Sequence, residues 1–60
     1  MAALSDRLKF LRTSAGLSQQ ELAKQTGINK SNINMYERGD REPNFEKLEI
    51  MSDYFNVDMD

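Results

Sequence analysis

Apolar residues recur along the first half of the chain at helical rather than strand spacing. A stripe of four apolar residues predicts a first helix, which Gly16 closes in the left-handed conformation. The four residues from Ser18 to Glu21 are typical of a capping box and predict the start of a second helix, which ends at Gly27. The residues expected to face the core from the first helix are Leu4, Leu8, Leu11 and Ala15.

The second half of the chain predicts two further helices, each of which begins at an asparagine N-cap. The third helix begins after Asn29 and ends at Gly39, and the fourth begins after Asn44 and ends at Asn56. Residues 57–60 could begin a fifth helix. The residues expected to face the core are Ile33 and Tyr36 in the third helix and Phe45, Leu48, Met51, Ser52 and Phe55 in the fourth.

Residues 19–38 have the steric pattern of two short helices joined by a tight turn. Ala23 provides a small side chain where the helices cross, and Gly27 provides the positive φ that the turn needs. Ile28 and the inward residues of the third helix then hold the two helices together. We therefore predict an all-α fold, a compact four- to five-helix bundle that contains a helix-turn-helix, in a single domain over residues 1–60. A plain αα-hairpin within a helical bundle is the alternative.

The composition excludes most catalytic chemistry in a chain of 60 residues. Cysteine is absent, so neither disulfides nor thiolate metal sites are available. Histidine is absent as well, which removes the usual general base and the usual nitrogen ligand of zinc. We expect no enzyme, no catalytic residue, no metal and no cofactor. No apolar run approaches the roughly 20 residues that cross a bilayer, so we expect a cytoplasmic protein without membrane contact.

The formal net charge of -2 is unevenly distributed along the chain. Residues 1–36 contain five cations and two acids, whereas residues 37–60 contain three cations and eight acids. The basic first half favours a polyanionic partner such as DNA, while the acidic second half favours a basic protein partner.

Five segments of the chain resemble one family. They are 7–12 (RLKFLR), 16–23 (GLSQQELA), 27–33 (GINKSNI), 36–39 (YERG) and 53–57 (DYFNV). With these segments the chain is similar to the Cro/repressor-type, lambda-repressor-like helix-turn-helix domains of bacteria and their phages. The resemblance implies sequence-specific binding of double-stranded operator DNA by a transcriptional regulator of the repressor type. It also implies a homodimer on DNA, in the cytoplasm of a bacterium or of a phage host, and allows for a longer regulator of which this is the N-terminal part.

The resemblance makes the third helix, about residues 29–38, the recognition helix in the major groove. At 100° per residue this helix turns Ser31, Met35 and Arg38 outward. By resemblance Gln19 matches a position that holds a phosphate, and Arg41 matches a loop position near the DNA backbone. The expected DNA-binding residues are Gln19, Asn29, Lys30, Ser31, Asn32, Asn34, Met35, Arg38 and Arg41. The alternative for each is an ordinary solvated polar residue and, for Asn29, an N-cap alone.

Two charged features qualify this picture. Relatives resembling this chain often pair the positions of Arg12 and Glu37 in a partly buried ion pair, so the resemblance implies such a pair here. Contact of Arg12 with a phosphate is the alternative. Asp40 and Glu42 occupy a loop where relatives frequently have Lys or Arg, and these two acids would repel phosphates.

Phe10 and Ile50 are predicted to point away from the core. Each is either a single exposed apolar residue, which is common, or part of a surface for self-association or for a protein partner. A protein-interaction module of the antitoxin-like or anti-repressor-binding kind is therefore the alternative function on the same fold.

Overall fold

The computed structural model describes residues 3–58, and this part of the chain contains four α-helices and no strand. The helices are α1 (Leu4–Ser14), α2 (Gln19–Thr26), α3 (Lys30–Arg38) and α4 (Phe45–Phe55). The predicted all-α fold is confirmed, and each of the four predicted helices is present. Val57 and Asp58 are not helical, and the rest of the proposed fifth helix lies outside the described residues.

The N-termini of α2, α3 and α4 are capped by the side chains that the sequence indicates. Ser18 Oγ accepts a hydrogen bond from the backbone N–H of Glu21 at 3.0 Å, and Glu21 Oε1 accepts one from the N–H of Ser18 at 2.9 Å. This is the complete capping box. Asn29 and Asn44 each accept a hydrogen bond from the N–H three residues later, at 2.7 Å and 2.9 Å. Local hydrogen bonding thus fixes where these helices begin.

The helix ends depend on backbone conformations with positive φ. Gly27 has φ 76° and donates its N–H to the carbonyl of Ala23 at 2.9 Å, which turns the chain from α2 towards α3. Asn56 ends α4 with φ 55°, a conformation that asparagine tolerates better than most residues with a side chain. Both ends agree with the prediction.

The core is small and draws on every helix. Its buried residues are Leu8 of α1, Leu22 of α2, Ile28 of the turn, Ile33 and Tyr36 of α3, and Met51 of α4. The helix α3 packs against both α1 and α2, and α4 packs against α2. The inner face of α3 is therefore covered, and its outer face is the one left to solvent.

Three predictions about the core are wrong. Ala15 is exposed, because α1 ends at Ser14 and Ala15 is its C-cap. In α4 the predicted inner residues Met51, Leu48 and Phe55 are buried or partly buried, but two residues depart from the prediction. Phe45 is 75% exposed, and Ile50, which we expected to point outward, is partly buried against the core. Phe10 is exposed as predicted.

Candidate nucleic-acid interface

The outward face of α3 is polar and accessible. Lys30, Ser31 and Arg38 are exposed, while Asn32, Asn34 and Met35 are partly exposed. The opposite face holds the buried Ile33 and Tyr36, as the helical spacing predicts. The sequence-predicted residues of α3 thus share one helix. By helical spacing, the four that lie on the side opposite the core are Ser31, Asn34, Met35 and Arg38.

Asn29 lies at the N-terminus of this helix, where its side chain caps the N–H of Asn32. The side chain is exposed, but its oxygen already serves the helix.

The N-terminus of α2 presents unpaired backbone donors. The N–H groups of Glu21 and Leu22 bond to the side chain and the carbonyl of Ser18. No hydrogen bond among residues 3–58 uses the N–H groups of Gln19 and Gln20. Free N–H groups and the positive end of the helix dipole favour an anion at this point.

Arg12 and Glu37 form a bidentate ion pair between α1 and α3. Arg12 Nε lies 2.6 Å from Glu37 Oε2, and Arg12 Nη2 lies 3.0 Å from Glu37 Oε1. The two side chains are only 12% and 4% exposed. The hydrogen bond to Glu37 raises the pKa of Arg12, so the guanidinium stays charged throughout the accessible pH range. A third hydrogen bond, from Arg12 Nη1 to the carbonyl of Leu17 at 2.7 Å, ties the pair to the segment between α1 and α2.

The side chain of Gln19 is hydrogen-bonded to this ion pair. The pair was predicted from the sequence, but the involvement of Gln19 was not. Gln19 Nε2 donates to Glu37 Oε1 at 3.1 Å and to Asn34 Oδ1 at 3.3 Å. The signal was present in the sequence, since Asn34 and Glu37 are three residues apart and therefore share one side of α3. Helical spacing alone does not say that Gln19 faces that side.

The end of α3 and the segment after it have mixed charge. Arg38 Nε pairs with Asp40 Oδ2 at 3.2 Å, and both side chains are more than half exposed. Arg41 and Glu42 are exposed too, and Arg41 takes part in no ion pair within the described range 3–58. The cations expected near the DNA backbone are thus on the surface, but one of them faces an acid.

Most of the chain matches one known protein family. A family model described as helix-turn-helix matches residues 8–60. The chain belongs to the helix-turn-helix family. In the structure this motif consists of α2, the turn at Gly27 and α3, which packs on α2. The predicted helix-turn-helix is confirmed.

Named relatives agree with this assignment. The chain is 36% identical over 56 residues to the HTH-type transcriptional activator BcrR of Enterococcus faecalis, covering 93% of this chain and 28% of the relative. It is 38% identical over 58 residues to the HTH-type transcriptional regulator ImmR of Bacillus subtilis, covering 97% of this chain and 46% of that protein. An SPbeta prophage-derived uncharacterized HTH-type transcriptional regulator of Bacillus subtilis, YonR, is 40% identical over 55 residues, which are 92% of this chain and 51% of that relative.

The chain spans between about a quarter and a half of the length of these relatives. No solved structure matches it significantly. Family and relatives together identify a helix-turn-helix domain of the kind used in DNA-binding transcription regulation, and not an enzyme. None of the helices in residues 3–58 is long and apolar enough to span a membrane.

Proposed function

We propose that this helix-turn-helix domain binds double-stranded operator DNA sequence-specifically, with α3 in the major groove. The proposal is supported by two features that lie side by side on the surface. The polar outer face of α3 lies next to the N-terminus of α2, where the N–H groups of Gln19 and Gln20 have no partner among residues 3–58. In the docking geometry of this motif, one helix enters the major groove and the N-terminus of the preceding helix binds a phosphate beside it.

The proposed contacts divide into two groups. Ser31, Asn34 and Met35 face base edges from α3, with Asn32 at the margin of this group. Backbone contacts come from the exposed cations Lys30, Arg38 and Arg41 and from the start of α2. Asn29 lies between the two groups, as an N-cap whose side-chain nitrogen can reach the DNA.

The proposal also covers the longer protein to which the domain belongs. We propose that residues 1–60 are the DNA-binding domain of a longer cytoplasmic regulator, bacterial or phage-derived, which binds its operator as a homodimer. One domain of this size contacts few base pairs, so two copies on neighbouring half-sites supply the affinity. Repression needs only that the bound dimer excludes RNA polymerase, and we propose that direction of control.

Binding to duplex DNA at several salt concentrations tests the proposal. Lys30→Ala should weaken binding to all sequences and flatten the dependence of log Kd on log salt by about one unit. Lys9→Ala is the matched control, because Lys9 is exposed on α1, which packs against the buried side of α3. Equal effects of the two substitutions would contradict the proposed orientation. Backbone NMR shifts on titration with the same duplex should change at Gln19 and Lys30 and not at Lys9.

The second candidate function is protein interaction. Phe10 is 67% exposed and lies on α1 beside the partly buried Leu11, so α1 offers a small apolar patch that is separate from the residues on the outer face of α3. Because it does not overlap the proposed DNA surface, this patch would serve a protein partner or self-association without displacing DNA.

A further inference from the structure

The ion pair of Arg12 and Glu37 sets the direction of a neighbouring amide. Arg12 donates a hydrogen bond to each carboxylate oxygen of Glu37, and a carboxylate only accepts hydrogen bonds. The Gln19 amide lies against Glu37 Oε1, so it must present its nitrogen and not its oxygen. The buried charge thereby removes the ambiguity between the two ends of the Gln19 side chain.

Gln19 in turn sets the direction of Asn34. The amide nitrogen of Gln19 has two hydrogens, of which one goes to Glu37 and the other points to Asn34 Oδ1 at 3.3 Å. Asn34 must therefore turn its oxygen towards Gln19 and its nitrogen away from it. No hydrogen bond among the described residues uses the Asn34 amide nitrogen, and the side chain is partly exposed.

The position of Asn34 on α3 places its amide in a row of hydrogen-bond donors. Lys30, Asn34 and Arg38 are four residues apart in sequence and form one stripe along the helix. Asn34 thus lies between two exposed cations on the helix surface, and the side chains of both cations are donors. Such a stripe fits a surface of hydrogen-bond acceptors.

We propose that Gln19 is a positioning residue that holds Asn34 as a hydrogen-bond donor, so that Asn34 selects an acceptor on DNA. This inference rests on the proposed function of α3. A free asparagine offers a donor and an acceptor side by side and favours adenine, whereas an asparagine held in this way offers only its N–H groups. Guanine presents two acceptors, N7 and O6, in the major groove, and a phosphate oxygen offers the same chemistry.

The first arm of the test uses the free protein and is independent of DNA. Side-chain amide protons of Gln19 should exchange with solvent more slowly than those of Gln25, an exposed glutamine of the same helix. Glu37→Gln should abolish the difference, because the fixed acceptor is lost. Exchange of Gln19 as fast as that of Gln25 in the wild-type protein would overturn the proposal.

The second arm is selection from randomised duplexes with the wild-type protein, Gln19→Met, Asn34→Ala and the double variant. Methionine keeps the length of glutamine without its donors, and Gln25→Met is the control for the substitution itself. We expect the wild type to prefer guanine at one position per half-site. Gln19→Met and Asn34→Ala should each reduce that preference about fivefold, the factor that one net hydrogen bond provides. The double variant should lose no more than Asn34→Ala alone.

Three outcomes of the second arm are informative. A uniform loss of affinity for all sequences in both single variants supports the donor role and identifies the acceptor as a phosphate. Additive losses in the double variant would overturn the proposal, because Gln19 would then act separately from Asn34. If the wild-type protein binds no duplex, the proposed function fails and the selective role of Asn34 with it, whereas the exchange arm still reports on Gln19. Thermal unfolding of each variant shows that the compared proteins are folded.

Discussion

Arg38, the last residue of α3, faces Asp40 of the following loop, with Arg38 Nε 3.2 Å from Asp40 Oδ2. The pair is exposed, so it contributes between about 0 and 1 kcal/mol to stability. It also places a carboxylate beside a cation of the proposed DNA surface. An acid at this position repels phosphates and competes with them for Arg38.

We expect Asp40→Asn to tighten DNA binding at low salt and to steepen the salt dependence by close to one unit, because Arg38 is released to a phosphate. The melting temperature should change little. Asp53→Asn makes the same chemical change on the exposed end of α4 and should alter neither quantity. Titration of both variants at two salt concentrations measures the effect. Binding that is weaker in Asp40→Asn than in the wild type would mean that the pair orients Arg38 rather than occupying it.

We expect the buried Arg12–Glu37 pair, unlike the exposed Arg38–Asp40 pair, to stabilise the fold. Removing either side chain alone leaves a charge that is at least 88% buried and should cost about 3 kcal/mol of unfolding free energy. Replacing Arg12 by Met and Glu37 by Leu together should cost less than the two single changes added. Urea unfolding of the four proteins of this double-mutant cycle gives the coupling energy. Additive single effects would show that the two sites are independent and would return Arg12 to a role at the DNA.

The capping box of α2 predicts a pH dependence. The hydrogen bonds from the N–H and the side chain of Ser18 lower the pKa of Glu21. A carboxyl whose pKa is lower in the folded than in the unfolded chain stabilises the fold above its unfolded pKa. That contribution is lost as the pH falls from the ordinary glutamate pKa through the lowered one.

Glu21→Gln tests this dependence, because glutamine makes the same reciprocal bond without a charge. The wild type should be more stable than the variant at neutral pH, and the advantage should shrink in acid. Glu49→Gln makes the same chemical change on the exposed face of α4, outside any capping box, and is the control for the substitution itself. Thermal unfolding from neutral pH down to acid pH measures the difference. A constant difference between wild type and Glu21→Gln over that range would contradict the role assigned to Glu21.

The features that were predictable from sequence are those that neighbouring residues determine. Ser18, Asn29 and Asn44 each satisfy a backbone N–H three residues away, so the sequence around them is sufficient to place the start of a helix. The inward direction of Ile33 and Tyr36 follows from helical spacing and from the packing of α3 on two other helices.

What could not be predicted depends on how whole helices are rotated against one another. Helical spacing places Phe45 on the apolar stripe of α4 and Ile50 outside it, and only the packing of α4 on α2 decides that Ile50 is the half-buried one. The inward direction of Gln19 has a similar cause. A polar side chain at the start of a helix is equally suited to solvent, to a phosphate or to a neighbouring carboxylate until the position of Glu37 is known.

The exposure of Phe45 in α4 is itself testable. Phe45→Ala should change the unfolding free energy by no more than about 0.5 kcal/mol, because the ring is 75% exposed. Leu22→Ala, at a fully buried site of the core, should cost about 2 to 5 kcal/mol. Urea unfolding distinguishes the two. A large loss on Phe45→Ala would mean that the ring packs against the protein, as the apolar stripe alone suggested.

The last prediction separates base reading from backbone contact at the outer face of α3. Met35 is partly exposed there, and its thioether can touch a thymine methyl group but cannot donate a hydrogen bond. Met35→Gln introduces a bidentate amide, which should shift the preferred base at one position per half-site towards adenine by about 1 to 3 kcal/mol. Lys30→Ala, on the same helix, should weaken all sequences alike. Selection from randomised operators with each variant measures both effects. An unchanged base preference in Met35→Gln, together with a changed one in a variant of α4 such as Glu46→Ala, would show that α3 does not read the DNA.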